Sequence, residues 1–70
     1  MPYVNIKVTG GTEAPTAEQK AELIAGATDL ITRVLGKNPS TIFVIIEEVS
    51  MDNWGIGGET VTLRRKKAGK

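Results

Sequence analysis

The sequence predicts an α+β fold built on one strand–helix–strand unit, and three stretches carry that prediction. Residues 3–9 alternate between apolar and polar side chains. Residues 16–34 repeat apolar side chains at helical spacing, and residues 41–49 are apolar almost without interruption. Strand, helix and strand in that order make a right-handed crossover that leaves the two strands parallel. A glycine-rich segment then adds a short C-terminal hairpin.

The first strand rests on Tyr3, Val4, Ile6, Val8 and Thr9, all of which favour extended backbone. Val4, Ile6 and Val8 fall on one face, while Tyr3, Asn5, Lys7 and Thr9 fall on the other. Gly10-Gly11 ends the strand, and Thr12 to Pro15 form a loop. Thr16 opens the helix, with Gln19 three residues on as a capping box requires, and Glu18 suits the positive end of the helix dipole. Leu23, Ala27, Leu30, Ile31 and Val34 form the apolar stripe. Lys20, Glu22, Asp29 and Arg33 read as a solvated face, with Asp29 and Arg33 four apart as a surface pair. Gly36 is a left-handed cap, and Pro39 forbids resumption of the helix.

Thr41 to Val49 is the strongest strand, and its unbroken apolar run predicts burial on both faces. Glu47 and Glu48 end it at the rim and point to opposite faces, so they are not a catalytic pair. The segment Ser50 to Glu59 holds three glycines around Ile56 and reads as a hairpin turn, with Val61-Thr62-Leu63 as a final strand. Gly55-Ile56-Gly57-Gly58 lacks the spacing and the strand–helix setting of a dinucleotide loop.

Seventy residues allow one domain, residues 1–70, with the basic tail 64–70 expected to be mobile. A chain this short buries only about 60% of its unfolded surface. It has no cysteine for a disulfide and no histidine for acid–base or metal chemistry. Association with further copies is the remaining route to stability. The net charge of +1 offers no general attraction to nucleic acid or membrane, and the Arg64-Arg65-Lys66-Lys67 run has no stacking aromatics beside it. Neither a spanning segment nor a signal peptide is visible, so the chain reads as a cytoplasmic protein.

Pro2 is the residue with chemical promise. Proline is small enough for routine removal of Met1, which would leave a secondary amine fused to the backbone with φ fixed. Beside apolar neighbours an ammonium is disfavoured, so the amine pKa falls and the nitrogen can act as a base. A proline after methionine is, by itself, an ordinary start, and the rest of the chain gives it weight.

Pro2, the Glu18-Gln19-Lys20 entry to the helix, the run Val44-Ile45-Ile46 and above all Trp54-Gly55-Ile56-Gly57-Gly58-Glu59 occur in this order. In this the chain resembles the 4-oxalocrotonate tautomerase family, the small-subunit branch of the tautomerase superfamily, from Met1 to about Arg65. The resemblance implies a β-α-β subunit whose dimers assemble into a hexamer, a trimer of dimers. It implies an isomerase without cofactor or metal, acting on a small enol or keto acid such as 2-hydroxymuconate. Pro2 would be the general base that takes the enol proton and returns one to a distant carbon. Trp54 would help wall the apolar pocket.

Two departures separate this chain from the family pattern. Classical members hold a dicarboxylate substrate with two arginines, one in the loop after the first strand and one in the second strand. Here that loop, Gly10 to Pro15, has no basic residue, and Phe43 stands on the strand. Bidentate recognition and enolate stabilisation from those positions are lost together. Phe43 and Trp54 become the apolar contacts, and Lys7, Arg33, Arg64 and Arg65 are the candidate replacement cations, with Lys7 the one carried forward. The rival reading is a protein of this fold that binds ligands or plays a structural part with only residual catalysis.

Overall fold

Strand β1 (Tyr3–Thr9) and strand β2 (Phe43–Val49) pair in parallel, with helix α1 (Ala17–Leu35) between them in the chain. The computed structural model describes residues 1–69, so Lys70 of the basic tail lies outside the described residues. Tyr3 stands opposite Phe43, and the register runs unbroken to Thr9 opposite Val49. The ladder continues one step past each end. Phe43 N–H donates to the Pro2 carbonyl at 3.0 Å, and Gly10 N–H to the Val49 carbonyl at 2.8 Å. Paired residues share a face, so Val4, Ile6 and Val8 lie with Val44, Ile46 and Glu48. Helix α1 covers that face, and its Lys20 pairs with Glu48.

The helix ends as its residues predict. Gln19 N–H donates to the Thr16 hydroxyl at 3.1 Å, and Thr16 N–H donates to the Gln19 side-chain carbonyl at 2.9 Å. This closes the capping box and satisfies two backbone donors that would otherwise be unpaired. Gly36 adopts φ 66°, where only glycine is unstrained, and its N–H returns to the Thr32 carbonyl. No ion pair joins Asp29 to Arg33.

Strand β2 begins two residues later than the apolar run suggests. Asn38 accepts from Ser40 N–H at 3.0 Å, and the Thr41 hydroxyl donates to the Asn38 carbonyl at 2.8 Å. These bonds hold Pro39–Thr41 in a 3-10 turn. The hairpin is present: β3 (Gly55–Ile56) pairs antiparallel with β4 (Glu59–Thr60). Gly57 and Gly58 turn it at φ 59° and 88°, the double positive φ of a type I′ turn.

The C-terminal stretch departs from expectation. Val61 to Leu63 are not a strand; they open helix α2 (Val61–Lys67), which carries Arg64 to Lys67. Two local contacts outweigh the β-propensity of Val61 and Thr62. The Thr60 hydroxyl accepts from Leu63 N–H at 3.1 Å as an N-cap. Val61 is buried, and its N–H donates to the Trp54 carbonyl at 2.8 Å, seating the helix on the hairpin.

Burial is sparse. Among the described residues Val61 is the one buried apolar side chain. On α1 the residues turned inward are Lys20, Ala27, Thr28, Ile31 and Thr32, so of the predicted stripe only Ala27 and Ile31 are used. Leu23, Leu30 and Val34 stay exposed, and Leu23 and Leu30 line an open groove that also runs along Ile6 and Val8 of β1. The second sheet face, expected to be buried, is open within one chain: Tyr3 is 60% exposed and Phe43 51%. The accessible area is 5102 Å², against roughly 4,200 Å² for a folded monomer of this mass. The radius of gyration is 15.5 Å, against about 11 Å for a compact chain of this length. No described helix is long and apolar enough to cross a membrane.

A chain with so little core should fold only with partners. Light scattering at micromolar concentration should therefore give a multiple of the 7.5 kDa chain mass, and the unfolding midpoint should rise with protein concentration. A natively folded monomer would contradict this.

Candidate active site

Pro2 sits at the head of β1, half-buried, in the position its sequence suggests. Its carbonyl is fixed by Phe43 N–H, so the ring is held by a strand on one side and by its own φ constraint on the other. Phe43 is opposite Tyr3 and therefore next to Pro2. The parallel register thus joins two of the sequence-predicted site residues.

Lys7 lies further along the open face, and its charge is already matched. Glu47, its register partner, accepts from Lys7 Nζ at 3.0 Å and from Asn5 Nδ2 at 2.6 Å, both on Oε1. The Lys7 bond, reinforced by Asn5, holds the Glu47 carboxyl below its ordinary value. Asn5 and Glu47 had no visible role in the sequence, because their contact spans 42 positions and depends on the register.

Trp54 occupies a different place. It lines a cleft of about 580 Å³ together with Thr9, Glu13, Ile56, Arg64 and Arg65. The cleft lies at the far end of β1 from Pro2, and seven strand residues at roughly 3.3 Å each put the two about 20 Å apart. One chain therefore holds two separate groups: Pro2 with Phe43, and Trp54 with the α2 arginines. The Pro2 and Trp54 ends do not meet within a single chain.

The cleft has its own electrostatics. The Arg65 guanidinium donates to Glu13, which also accepts from the Thr9 hydroxyl at 2.6 Å. Arg65, then Thr9, hold the Glu13 carboxyl below its ordinary value, and Glu13 in turn raises Arg65. Arg64 approaches Glu59 only to 3.9 Å, while Lys67 reaches the same carboxylate at 2.7 Å. The Glu13–Arg65 bond spans 52 positions and has no sequence signal, since residues 61–63 read as a strand rather than the start of α2.

The family model for the tautomerase enzymes matches residues 2–64, which include Pro2, β1, α1, β2 and the hairpin. The chain belongs to the 4-oxalocrotonate tautomerase family. It is 60% identical to a probable tautomerase, K2, of Dickeya dadantii over 68 residues, covering 97% of this chain and 98% of that one. The crystal structure of DmpI from Helicobacter pylori superposes with a TM-score of 0.84 at 48% identity, covering 93% and 97% of the two chains. A heterohexamer 4-oxalocrotonate tautomerase from Chloroflexus aurantiacus superposes with a TM-score of 0.78 at 26% identity, covering 89% and 95%. The parallel β1–β2 pair, the intervening helix and the C-terminal hairpin are thus the tautomerase fold.

The lowered Glu13 sets a pH dependence for the seating of α2. A carboxyl whose pKa is depressed on folding contributes stability that is present above its ordinary value, 4.5, and lost as pH falls through the folded value. Acidification below that range should loosen α2, as read by the fluorescence of Trp54 beside it. Glu13→Gln should flatten this acid response, and high salt should weaken it because the pair is exposed. An unchanged acid response in Glu13→Gln would remove Glu13 from the account.

Proposed function

We propose that the protein is an isomerase that moves a proton between oxygen and carbon of a small enol carboxylate, without a cofactor, using the amine of Pro2 as base. The carrying observation is Pro2 itself: a ring nitrogen at the start of a strand whose carbonyl is pinned to β2, in a chain that belongs to the tautomerases. While Met1 is attached, that nitrogen is an amide with no basic lone pair. Removal of Met1 makes it a secondary amine that cannot swing. In the reaction the amine takes the enol proton, the electron pair shifts through the conjugated system to form the ketone, and the prolinium returns a proton to the distant carbon. The nitrogen ends unprotonated, so the cycle balances.

Pro2 and the Trp54 cleft are about 20 Å apart in one chain, so the reading requires Pro2 of one copy to face the cleft of another. Relatives of this fold include a heterohexamer, and a hexamer is the assembly we propose here, in the cytoplasm. Exposed Tyr3, Phe43 and Ile45 on the open sheet face supply apolar surface for it. The substrate we propose carries one carboxylate and an apolar or aromatic remainder. Phe43 beside Pro2 and the Trp54 indole are its apolar contacts, while Lys7 is engaged by Glu47.

A form that retains residues ahead of Pro2, verified by mass, should fold and assemble but lose turnover. Pro2→Ala, with a primary and more mobile amine, should fall but keep some activity. Full activity in the blocked form would exclude Pro2 as the base and favour the ligand-binding reading.

With protein that starts at Pro2, kcat/KM should be higher for phenylenolpyruvate than for 2-hydroxymuconate. Placing a guanidinium on β2 by Phe43→Arg should narrow or reverse that ratio, since an oxyanion-stabilising donor is typically worth about 100- to 1,000-fold in rate. A preference for the dicarboxylate in the unmodified chain would overturn the proposed substrate class.

A further inference from the structure

We propose that Arg64, presented by α2 beside the Trp54 indole, is the cation that binds the substrate carboxylate. The inference rests on the functional reading above for the kind of ligand, and on the cleft for the residue. A buried or half-buried carboxylate needs a charge-assisted partner, and the cations of this chain can be sorted by what already holds them. Among the described residues Lys7 is bound to Glu47, Lys20 to Glu48, Arg65 to Glu13 and Lys67 to Glu59. Arg33, Lys37 and Lys66 line neither the Trp54 cleft nor the face beside Pro2.

Arg64 differs on both counts. It lines the cleft, and the carboxylate it approaches, Glu59, is 3.9 Å away and already satisfied by Lys67 at 2.7 Å. Its guanidinium extends past the hairpin turn, with Nη1 3.8 Å from where a side chain on Gly57 would begin. Glycine at that turn supplies the positive φ. The cleft volume of about 580 Å³ lies within the range of small-molecule sites. It pairs an aromatic plane with one loosely held fork of donors, the combination that a carboxylate with an apolar remainder requires. Arg65 next to it is neutralised by Glu13 and positions α2, which leaves Arg64 as the net positive charge of this wall.

Trp54 is the single tryptophan, so its fluorescence reports binding without turnover. Protein verified to start at Pro2 is titrated with cinnamate, a non-isomerisable carboxylate with an aromatic remainder, and with cinnamamide, its uncharged counterpart. Cinnamate should quench Trp54 and bind about 10-fold or more tightly than cinnamamide. Arg64→Gln should abolish that difference, Arg64→Lys should retain part of it, and Arg33→Gln should leave it unchanged. Circular dichroism and assembly mass establish that each variant is folded. Retention of the preference in Arg64→Gln, or no preference in the unmodified protein, would overturn the assignment. Because binding is read apart from catalysis, either result is separable from the blocked-Pro2 experiment, which tests the base.

Discussion

The parallel pairing of β1 with β2 is the constraint from which the other features follow. It is locked at both ends, by Phe43 N–H on the Pro2 carbonyl and by Gly10 N–H on the Val49 carbonyl. A one-residue slip would invert every side chain of one strand relative to the other. Val44 and Ile46 would leave α1, and Glu47 would leave Lys7 and Asn5. The same register sets Phe43 beside Pro2, so the pairing that builds the sheet also fixes what borders the N-terminal ring.

A two-stranded sheet with one helix can cover only one of its faces. The other keeps Tyr3, Phe43 and Ile45 in water, and the groove beside β1 keeps Leu23 and Leu30 there. Apolar burial is worth about 25 cal/mol per Å², so leaving this surface uncovered forfeits the main source of stability available to so short a chain. The two halves of the candidate site show the same incompleteness. Pro2 stands at one end of β1 and the Trp54 cleft at the other, so assembly that covers the apolar faces is also what can bring a nitrogen of one chain to a cleft of the next.

The charges are arranged with similar economy. Among the described residues five ion pairs link the chain, and each is solvent-exposed, where such pairs contribute little stability. Their value here is positional. Lys7 with Asn5 fixes Glu47 on the open face, Lys20 ties α1 to the end of β2, and Arg65 with Glu13 ties α2 to the turn after β1.

What the sequence determined by itself was local or periodic. The capping box at Thr16, the Gly36 cap, the Gly57-Gly58 turn and the alternation along β1 each depend on residues a few positions apart, and the motifs around Pro2 and Trp54 were enough to name the family. Tertiary structure decided what depends on distant partners. Val61-Thr62-Leu63 has the composition of a strand but becomes helical, because the Thr60 cap and the burial of Val61 against the hairpin outweigh β-propensity. The pairing of Lys7 with Glu47, of Arg65 with Glu13, and the opposite placement of Pro2 and Trp54 came from strand register and helix docking. No window of neighbouring residues contains those distances, and a propensity scale carries no term for them.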